Sequence, residues 1–236
     1  MPVLPFISAA LPDVRESIHA NLLVEDRWKM MLEGLDVTLQ VSLLSIFFAT
    51  LAGAFICARR MSRSRVLRGV AKFYIELMRS LPLLLLLLVM FYLVLASSGL
   101  SKVHIAVVCF TMYFGAFFSE IFRSGIEGVG KGQREAGAAL GMNRVQVFRR
   151  VVLPQALLRT LPMYKNQMVA LVKSTSIIGY VAITDITKAG DIIRSRTFDA
   201  FFPLLLTAAI YLILCWLFGL VVDLVEKRLT PKPRTL

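Results

Sequence analysis

The sequence predicts an all-α polytopic membrane protein with five transmembrane helices. Hydrophobic residues make up 57% of its 236 residues and charged residues only 18%, and the mean hydropathy is +0.72. A soluble domain of this length needs fewer apolar residues for its core. The apolar residues also form runs that are long enough to cross a bilayer as helices. The loops between these runs carry charges that indicate which side of the membrane each loop occupies.

The first predicted span is residues 37–58, an uncharged run that reaches roughly 33 Å as a helix. A weakly acidic lead-in, residues 1–33, precedes it. Basic residues follow it, without an acidic residue before Glu76: Arg59, Arg60, Arg63, Arg65, Arg68 and Lys72. Because short cytoplasmic loops are enriched in lysine and arginine, this helix is predicted to start outside and to end in the cytoplasm.

Further spans are predicted at 70–96, 103–123, 161–181 and 200–225. Pro82 lies inside the second span, where neighbouring helices can satisfy the carbonyl that a proline leaves free. The fourth span is the most polar, so it is predicted to face protein or a water-filled cavity. Five crossings place the N-terminus outside and the C-terminus in the cytoplasm.

The remaining segments fit this topology. Residues 184–199 balance acidic and basic charges, as expected of an outer loop, and are predicted to contain a short helix. The chain therefore divides into an extracytoplasmic lead-in (1–33), a transmembrane domain (34–225) and a basic cytoplasmic tail (226–236). Topology accounts for the net charge of +12, so no nucleic acid partner is predicted.

The sequence has no internal repeat. A self-contained transporter usually encloses its pathway between two related halves. Five spans without a repeat predict that the second half of a pathway comes from another chain.

The loop at residues 130–154 is patterned as two short amphipathic helices. Gly132 is predicted to be the N-cap of the first helix. Glu135 then lies in the first turn, where the helix dipole favours a carboxylate by about 0.3–1 kcal/mol. Gly141 can adopt the left-handed conformation that ends a helix.

The second helix of this loop begins with a capping-box pattern, Asn143 followed by Gln146. Three apolar residues are predicted to share one face of it: Val145, Phe148 and Val152. Pro154 is predicted to stop the helix or to bend the chain into the fourth span. The pattern fits a pair of helices that docks into a partner's groove, and it equally fits helices that lie on lipid headgroups.

The loop also resembles a known motif. Its residues Glu135-Ala136-Gly137, Gly141 and Leu153-Pro154 have the spacing of the EAA motif of ABC importer permeases, the cytoplasmic loop that docks on the ATPase subunit. Gly137 stands where the motif usually has a second alanine, and Val151 stands where it usually has isoleucine.

The resemblance extends to the polar amino acid permease family, which has the MetI-like fold. Residues 74–83 (YIELMRSLPL) are similar to that family's Y-x-E-x-x-R-S-x-P-L, and residues 119–126 (SEIFRSGI) to its A-E-I-x-R-G-G-I. Residues 153–156 (LPQA) and 173–176 (KSTS) are similar to its L-P-Q-A and K-D-T-S. The similarity runs from about residue 34 to residue 225, and it identifies the chain as a member of this family.

The resemblance implies a set of partners and a location. It implies two ATP-binding subunits in the cytoplasm, a second permease chain that is identical or related, an extracytoplasmic amino acid binding protein, and the inner membrane of a prokaryote. ATP and magnesium would be bound by the ATPase subunits, with no cofactor on this chain, which is then not an enzyme. The residues that would couple this chain to the ATPase are Glu135, Ala136, Gly137, Gly141, Leu153 and Pro154.

Polar residues in the predicted spans are candidates for a substrate pathway: Lys173, Ser174, Thr175, Ser176, Asn166 and Glu120. A lysine at the centre of a span costs about 2.5–3.5 kcal/mol on insertion scales, so Lys173 either lines a pathway or pairs with a carboxylate. Glu120 and Arg123 are spaced as a structural i, i+3 pair. Ser174 occupies the position of the family's aspartate, which argues against a cationic substrate.

Other function classes are less well supported. A self-sufficient channel or an ion-coupled carrier of small polar solutes is the alternative, but the apolar centres of the spans offer few carboxylates for a relay. His19 and His104 are not spaced for a metal site or a catalytic triad. Residues 125–132 match a phosphate-binding loop except for its final serine or threonine, which would bind magnesium. The cysteines Cys57, Cys109 and Cys215 lie far apart in apolar runs and predict neither a disulfide nor a zinc site.

Overall fold

In the computed structural model, which describes residues 14–229, the chain is an all-helical bundle. The α-helices of this part are α1 (Val14–Ile18), α2 (Arg27–Arg60), α3 (Arg65–Ser80), α4 (Leu83–Val89), α5 (Lys102–Glu127), α6 (Lys131–Ala139), α7 (Arg144–Val147), α8 (Leu153–Ser174), α9 (Ile186–Thr197) and α10 (Phe202–Leu229). π-helical turns follow α1, α4 and α7 at His19–Leu23, Met90–Val94 and Phe148–Val152. 3₁₀ turns precede α2 at Val24–Asp26 and follow α8 at Thr175–Val181.

Three stretches of residues 14–229 are long and apolar enough to cross a membrane: Glu16–Arg60, Lys102–Glu127 and Phe202–Leu229. Two bent pairs of helices raise the number to five if each pair is counted as one span. The first and third predicted spans therefore lie within α2 and α5, and the fifth, 200–225, coincides with α10 from Phe202 onward. Helix α2 begins at Arg27, well before the predicted start at residue 37, because its first turns are polar but still helical.

The second predicted span, residues 70–96, is not one straight helix. Helix α3 ends at Ser80, Leu81 and Pro82 are extended, and the next helix leaves at 105° to the first. Proline disfavours the helical conformation of the residue before it, so Leu81 cannot continue α3. The expectation that Pro82 is tolerated inside a continuous span was wrong, since the chain breaks and changes direction there.

The core is built on the contact between α2 and α5. Gly53 of α2 faces α5 so closely that an added Cβ would lie 2.7 Å from the Cβ of Phe118 and 3.1 Å from the carbonyl oxygen of Gly115. Small residues of this kind let membrane helices approach each other and gain van der Waals contact. Phe110, Phe114 and Phe118 of α5 are fully buried on the same side. The core therefore forms around the middle of α5.

Helix α8 joins this pair through Tyr164. Its ring lies 4.8 Å from the ring of Phe118, measured between centroids. Its hydroxyl shares a 2.6 Å hydrogen bond with Oγ1 of Thr50 in α2. One side chain thus links α2, α5 and α8.

Helix α9 confirms the short helix predicted in the 184–199 segment, and one side of this helix packs into the bundle. Ile186, Ala189 and Ile193 are buried. Asp185 is the N-cap, accepting hydrogen bonds from the backbone N–H groups of Thr187 and Lys188 at 3.1 and 3.0 Å. The charge balance of this segment indicated a loop, but charges on one face of a helix do not report burial of the other face.

The described part of the lead-in packs against the turn between α9 and α10. Asn21 Nδ2 donates a 2.8 Å hydrogen bond to Asp199 Oδ2. Partial burial acts to raise the pKa of Asp199, but this bond and those from the Phe201 and Phe202 N–H groups outweigh it and lower the pKa. Residues 1–13 of the lead-in and 230–236 of the tail lie outside the described residues.

We expect Gly53→Ala to destabilise the protein by about 1–3 kcal/mol, because the new methyl group must push α2 and α5 apart. The matched control is Gly69→Ala in α3, where nothing lies within 4 Å of an added Cβ. Alanine is more favourable than glycine in a helix by up to about 1 kcal/mol, so Gly69→Ala should be neutral or stabilising. Thermal unfolding in detergent measures both variants, and equal melting temperatures would contradict the assigned contact.

Candidate functional site

The first helix of the 130–154 loop, α6, lies on the surface. It begins at Lys131 with Gly130 as N-cap, so the prediction of Gly132 was wrong by two residues. Glu135 is consequently in the second turn, where the dipole effect assigned to it is weaker. Its side chain is exposed, and a partner can reach the carboxylate.

Gly137 is the buried residue of α6. An added Cβ would lie 3.1 Å from Cγ2 of Val147 and 3.7 Å from Cγ2 of Val151. The absence of a side chain therefore lets α6 pack directly against the segment that follows it. This explains in physical terms why the chain can carry glycine where the EAA pattern usually has alanine.

Gly141 adopts the predicted left-handed conformation, with φ of +76°. Its N–H donates to the carbonyl of Ala138 at 3.0 Å, and the N–H of Met142 donates to the carbonyl of Gly137 at 3.1 Å. These two bonds form a Schellman motif, which ends α6 and fixes the direction of the chain. Leu140, just before the turn, is 78% exposed.

The capping box of α7 is confirmed. Oδ1 of Asn143 accepts from the N–H groups of Val145 and Gln146 at 3.1 and 3.0 Å, and Oε1 of Gln146 accepts from the Asn143 N–H at 2.8 Å. Both ends of the turn between α6 and α7 are therefore fixed by local hydrogen bonds.

The predicted apolar face of α7 was wrong in part. Val152 is buried, but Val145 and Phe148 are exposed, and Val147 is buried in their place. Val147 lies beside Gly137 of α6, and this contact turns Val145 and Phe148 outward. These two residues are left as exposed apolar side chains on the outer surface of the loop.

Pro154 neither stops the helix nor bends the chain sharply. It lies in the first turn of α8, directly after the π-helical turn, and the backbone stays helical from α7 into α8. A proline is tolerated here because the π-helical turn before it already departs from regular hydrogen bonding, the Leu153 N–H donating to the carbonyl of Phe148. Leu153 is partly buried and Pro154 is exposed.

Side-chain hydrogen bonds attach the loop to the bundle. Arg134 Nη2 donates to the carbonyl of Ile126 in α5 at 2.7 Å, and Arg159 of α8 donates to the carbonyl of Gly128. Gln155 Nε2 of α8 donates to Oε1 of Gln133 in α6 at 3.3 Å. The loop is held to α5 and α8 and can transmit a displacement to them.

The pathway candidates at the end of α8 do not all face one cavity. The hydroxyls of Ser174, Thr175 and Ser176 donate to backbone carbonyls of the preceding turn, and Thr175 is buried. Lys173 and Asn166 are exposed on the surface of the single chain. Of the four residues 173–176, Ser176 lines a cavity of about 480 Å³ between the 3₁₀ turn, α9 and α10.

Glu120 lies in α5 and is held by Arg123. The Arg123 Nη2 nitrogen is 2.7 Å from Glu120 Oε2, and Nε is 3.1 Å from Oε1. Arg123 also pairs with Glu127, one turn further on. The i, i+3 pairing predicted from the sequence is confirmed, and the similar pair Lys72–Glu76 is present at 3.5 Å.

The ion pair that sequence reasoning missed joins α8 to α10. Lys165 Nζ lies 2.6 and 2.7 Å from the two carboxylate oxygens of Asp223. The lysine stem passes over Gly219, where an added Cβ would lie 3.1 Å from Cε. A lone aspartate in a predicted span was the available signal, because a charge in an apolar helix needs a partner. The sequence analysis considered a carboxylate partner for Lys173, but the lysine that has one is Lys165.

Comparison with known proteins gives consistent matches. Residues 45–231 match the family described as "Binding-protein-dependent transport system inner membrane component". The chain is 32% identical to the "Probable amino-acid ABC transporter permease protein YckA" of Bacillus subtilis (strain 168), over 90% of this chain and 95% of that protein. It is 34% identical to the "L-cystine transport system permease protein TcyB" of the same organism, over 90% and 92%.

A solved structure matches as well. The fold superposes with a TM-score of 0.78 on "Crystal structure of an amino acid ABC transporter with histidines", at 32% identity, covering 88% of this chain and 98% of that chain. The architecture is therefore the MetI-like ABC permease fold.

We expect Gly141→Val to destabilise the turn between α6 and α7, because a side chain in the left-handed region costs roughly 1–2 kcal/mol. Gly141→Asn is the matched control, since asparagine adopts this conformation more readily. Limited proteolysis of the loop should be faster in the valine variant than in the asparagine variant. Equal rates would show that the left-handed turn does not limit loop stability.

We expect Lys165→Ala to destabilise the packing of α8 on α10. Its side chain is 33% exposed and that of Asp223 is 39% exposed, so the expected loss is about 1–3 kcal/mol rather than that of a fully buried pair. In thermal unfolding, Lys165→Ala combined with Asp223→Ala should lose less than the sum of the single variants. Strict additivity would contradict a direct interaction.

Proposed function

The chain belongs to the family of binding-protein-dependent transport system inner membrane components, and we propose that it is the membrane-spanning permease subunit of an ATP-driven importer of amino acids. The observation that carries the proposal is the geometry of the 130–154 loop. Its two helices are fixed by a Schellman motif and a capping box and tied to α5 and α8. Its outer surface exposes apolar side chains that a partner can cover.

In this proposal the loop docks on a cytoplasmic ATP-binding subunit. Phe148 lines a cavity of about 350 Å³ together with Arg134 and Arg144, and Leu140 and Val145 are also exposed on the loop. This surface fits an apolar groove whose rim is acidic opposite the arginines and basic opposite Glu135. Glu135, Ala136, Gly137, Gly141, Leu153 and Pro154 are the proposed coupling residues. ATP and magnesium belong to the ATPase subunits, and this chain does no covalent chemistry.

The proposed topology has five crossings, with each bent pair of helices counted as one, in the inner membrane of a prokaryote. The basic residues that follow α2 favour a cytoplasmic location for that end of the helix. The lead-in is then outside, and the end of α10 is inside. An extracytoplasmic binding protein would deliver the substrate to the outer face.

A second permease chain completes the proposed pathway, and each chain would carry one ATPase subunit. The most apolar stretch of α10 is only 22% buried within the chain, so lipid or another chain must cover the rest of it. Five crossings without an internal repeat support a pathway shared by two chains. The second chain is a copy of this one or a relative of it.

The coupling mechanism follows from the connections of the loop. Closure of the ATPase subunits around ATP would displace α6 and α7. The helical continuity from α7 to α8 carries this displacement into the bundle. The Lys165–Asp223 pair would carry it onward to α10. The pathway would open to the outside as these helices move together.

The substrate is proposed to be an amino acid that is not cationic. The names of the relatives, an amino-acid permease and an L-cystine permease, support an amino acid. Ser174 is partly exposed and carries no charge where the family pattern has aspartate. Lys173, Ser176 and Asn166 remain proposed pathway residues, together with Ser174, Thr175 and Glu120.

We expect Glu135→Lys to abolish transport and to prevent co-purification of the ATPase subunit, because it reverses the charge on the exposed face of α6. Glu33→Lys is the matched control, since it makes the same exchange on an exposed residue of α2 that is far from the 130–154 loop in the sequence. Pull-down of the tagged chain with its ATPase measures docking directly. Normal recovery of the ATPase with Glu135→Lys, together with normal uptake, would refute the proposed docking site.

We expect proteoliposomes that contain the complete importer to take up neutral amino acids in preference to arginine. Ser174→Asp should then raise the relative uptake of arginine, because it restores a carboxylate near the substrate. Competition between labelled arginine and a labelled neutral amino acid measures this preference. If arginine is the preferred substrate of the unmodified protein, position 174 does not set the charge selectivity.

A further inference from the structure

The chain has a basic cavity apart from the 130–154 loop and from the pathway candidates at the end of α8. Its volume is about 270 Å³, and it lies where the end of α2, the start of α3 and the end of α5 meet. Its lining residues are Arg60, Met61, Ser62, Arg68, Arg123 and Glu127. Three arginines face one glutamate, so the lining has an excess of positive charge.

In the described part of the chain, one of these arginines forms ion pairs and the other two form none. Arg123 is paired with Glu120 and Glu127. Within residues 14–229, neither Arg60 nor Arg68 makes an ion pair. Guanidinium groups bind phosphate oxygens through pairs of hydrogen bonds, which makes converging arginines a recognition site for phosphate. The cavity is therefore suited to a group with one or two negative oxygens.

An apolar surface lies beside this cavity on α3. Val66, Val70, Phe73 and Leu77 recur at i, i+4, i+7 and i+11 and form one stripe along the helix. All four are exposed, Val66 by 74% and Phe73 by 67%. The opposite side of α3 packs on the bundle through Ala71, Ile75 and Met78. The stripe therefore points away from the protein core.

The basic cavity and the apolar stripe together indicate which class of ligand fits this surface. Inorganic phosphate would use the cavity but not the stripe. An acidic protein segment would meet the arginines but would have to cover an apolar stripe on α3, which begins just after the membrane-length helix α2. A phospholipid offers both a charged phosphate and acyl chains. Basic pockets between membrane helices are recognised sites for anionic headgroups.

We propose that the cavity between α2, α3 and α5 binds the phosphate of an anionic phospholipid, whose acyl chains lie along the stripe Val66, Val70, Phe73 and Leu77. Arg60 and Arg68 bind the phosphate oxygens, and Arg123 remains engaged with its glutamates. Met61 lines both this cavity and the 350 Å³ cavity of the 130–154 loop. The lipid thus lies next to the surface that is proposed to dock on the ATPase.

The test measures binding of phosphatidylglycerol and phosphatidylcholine to the full-length chain in neutral detergent by native mass spectrometry. We expect tighter binding of phosphatidylglycerol. Arg60→Gln combined with Arg68→Gln should weaken it by about fivefold for each arginine, the equivalent of ~1 kcal/mol per basic residue. The matched control is Arg63→Gln with Arg65→Gln, which removes the same charge from the same turn but does not touch the cavity. The control should change binding by less than about twofold.

Further variants and a ligand without acyl chains distinguish a phospholipid from other ligands of the cavity. Phe73→Asn should weaken phosphatidylglycerol binding without changing the binding of glycerophosphoglycerol, which has the headgroup but no acyl chains. Arg60→Lys combined with Arg68→Lys should keep part of the affinity, which distinguishes loss of charge from misfolding. Size-exclusion chromatography checks that each variant is folded.

Several results would overturn the proposal. Equal losses in the cavity and control variants would mean that general surface charge attracts the lipid. Release of the lipid by millimolar inorganic phosphate would identify a site for free phosphate. Displacement by the ATPase subunit would show that protein covers this surface. None of these readouts depends on transport, so failure here leaves the permease function untouched.

Discussion

The structure depends on the close contact between α2 and α5. In a membrane, helices gain little from burying apolar side chains against each other, because lipid is equally apolar. Close packing must therefore come from small residues, and Gly53 provides it in the C-terminal half of α2. Tyr164 attaches α8 to this pair. The 130–154 loop in turn depends on α5 and α8, so the position of the loop is set by a contact deep in the bundle.

Much of the fold could be predicted from the sequence. Long uncharged runs report membrane helices directly, which is why α2 and α5 contain predicted spans and α10 coincides with one from Phe202 onward. The break at Pro82 was misjudged because hydropathy does not report the direction in which the chain runs. A proline is also compatible both with a kinked helix and with a sharp bend of the chain. The burial of α9 was missed because its charges occupy one face only.

The site could be predicted where local hydrogen bonds determine it. The Gly141 turn and the Asn143 capping box involve neighbouring residues, and both were confirmed. The exposed face of α7 was not predictable, because it depends on the contact of Val147 with Gly137 of α6 and not on the periodicity of α7 alone. The Lys165–Asp223 pair joins residues that are far apart along the chain. No periodicity argument can identify such a partner.

The π-helical turn at Phe148–Val152 has a mechanical consequence. The backbone stays helical through it from α7 into α8, so no loop separates the two helices. Helix α8 alone has 22 residues and is therefore about 33 Å long. A tilt of about 5° at its lower end would move its upper end by roughly 3 Å over that length. If α8 moved as one body, a small rotation at the loop would thus become a shift about as large as a hydrogen-bond length at Lys173 and Ser174.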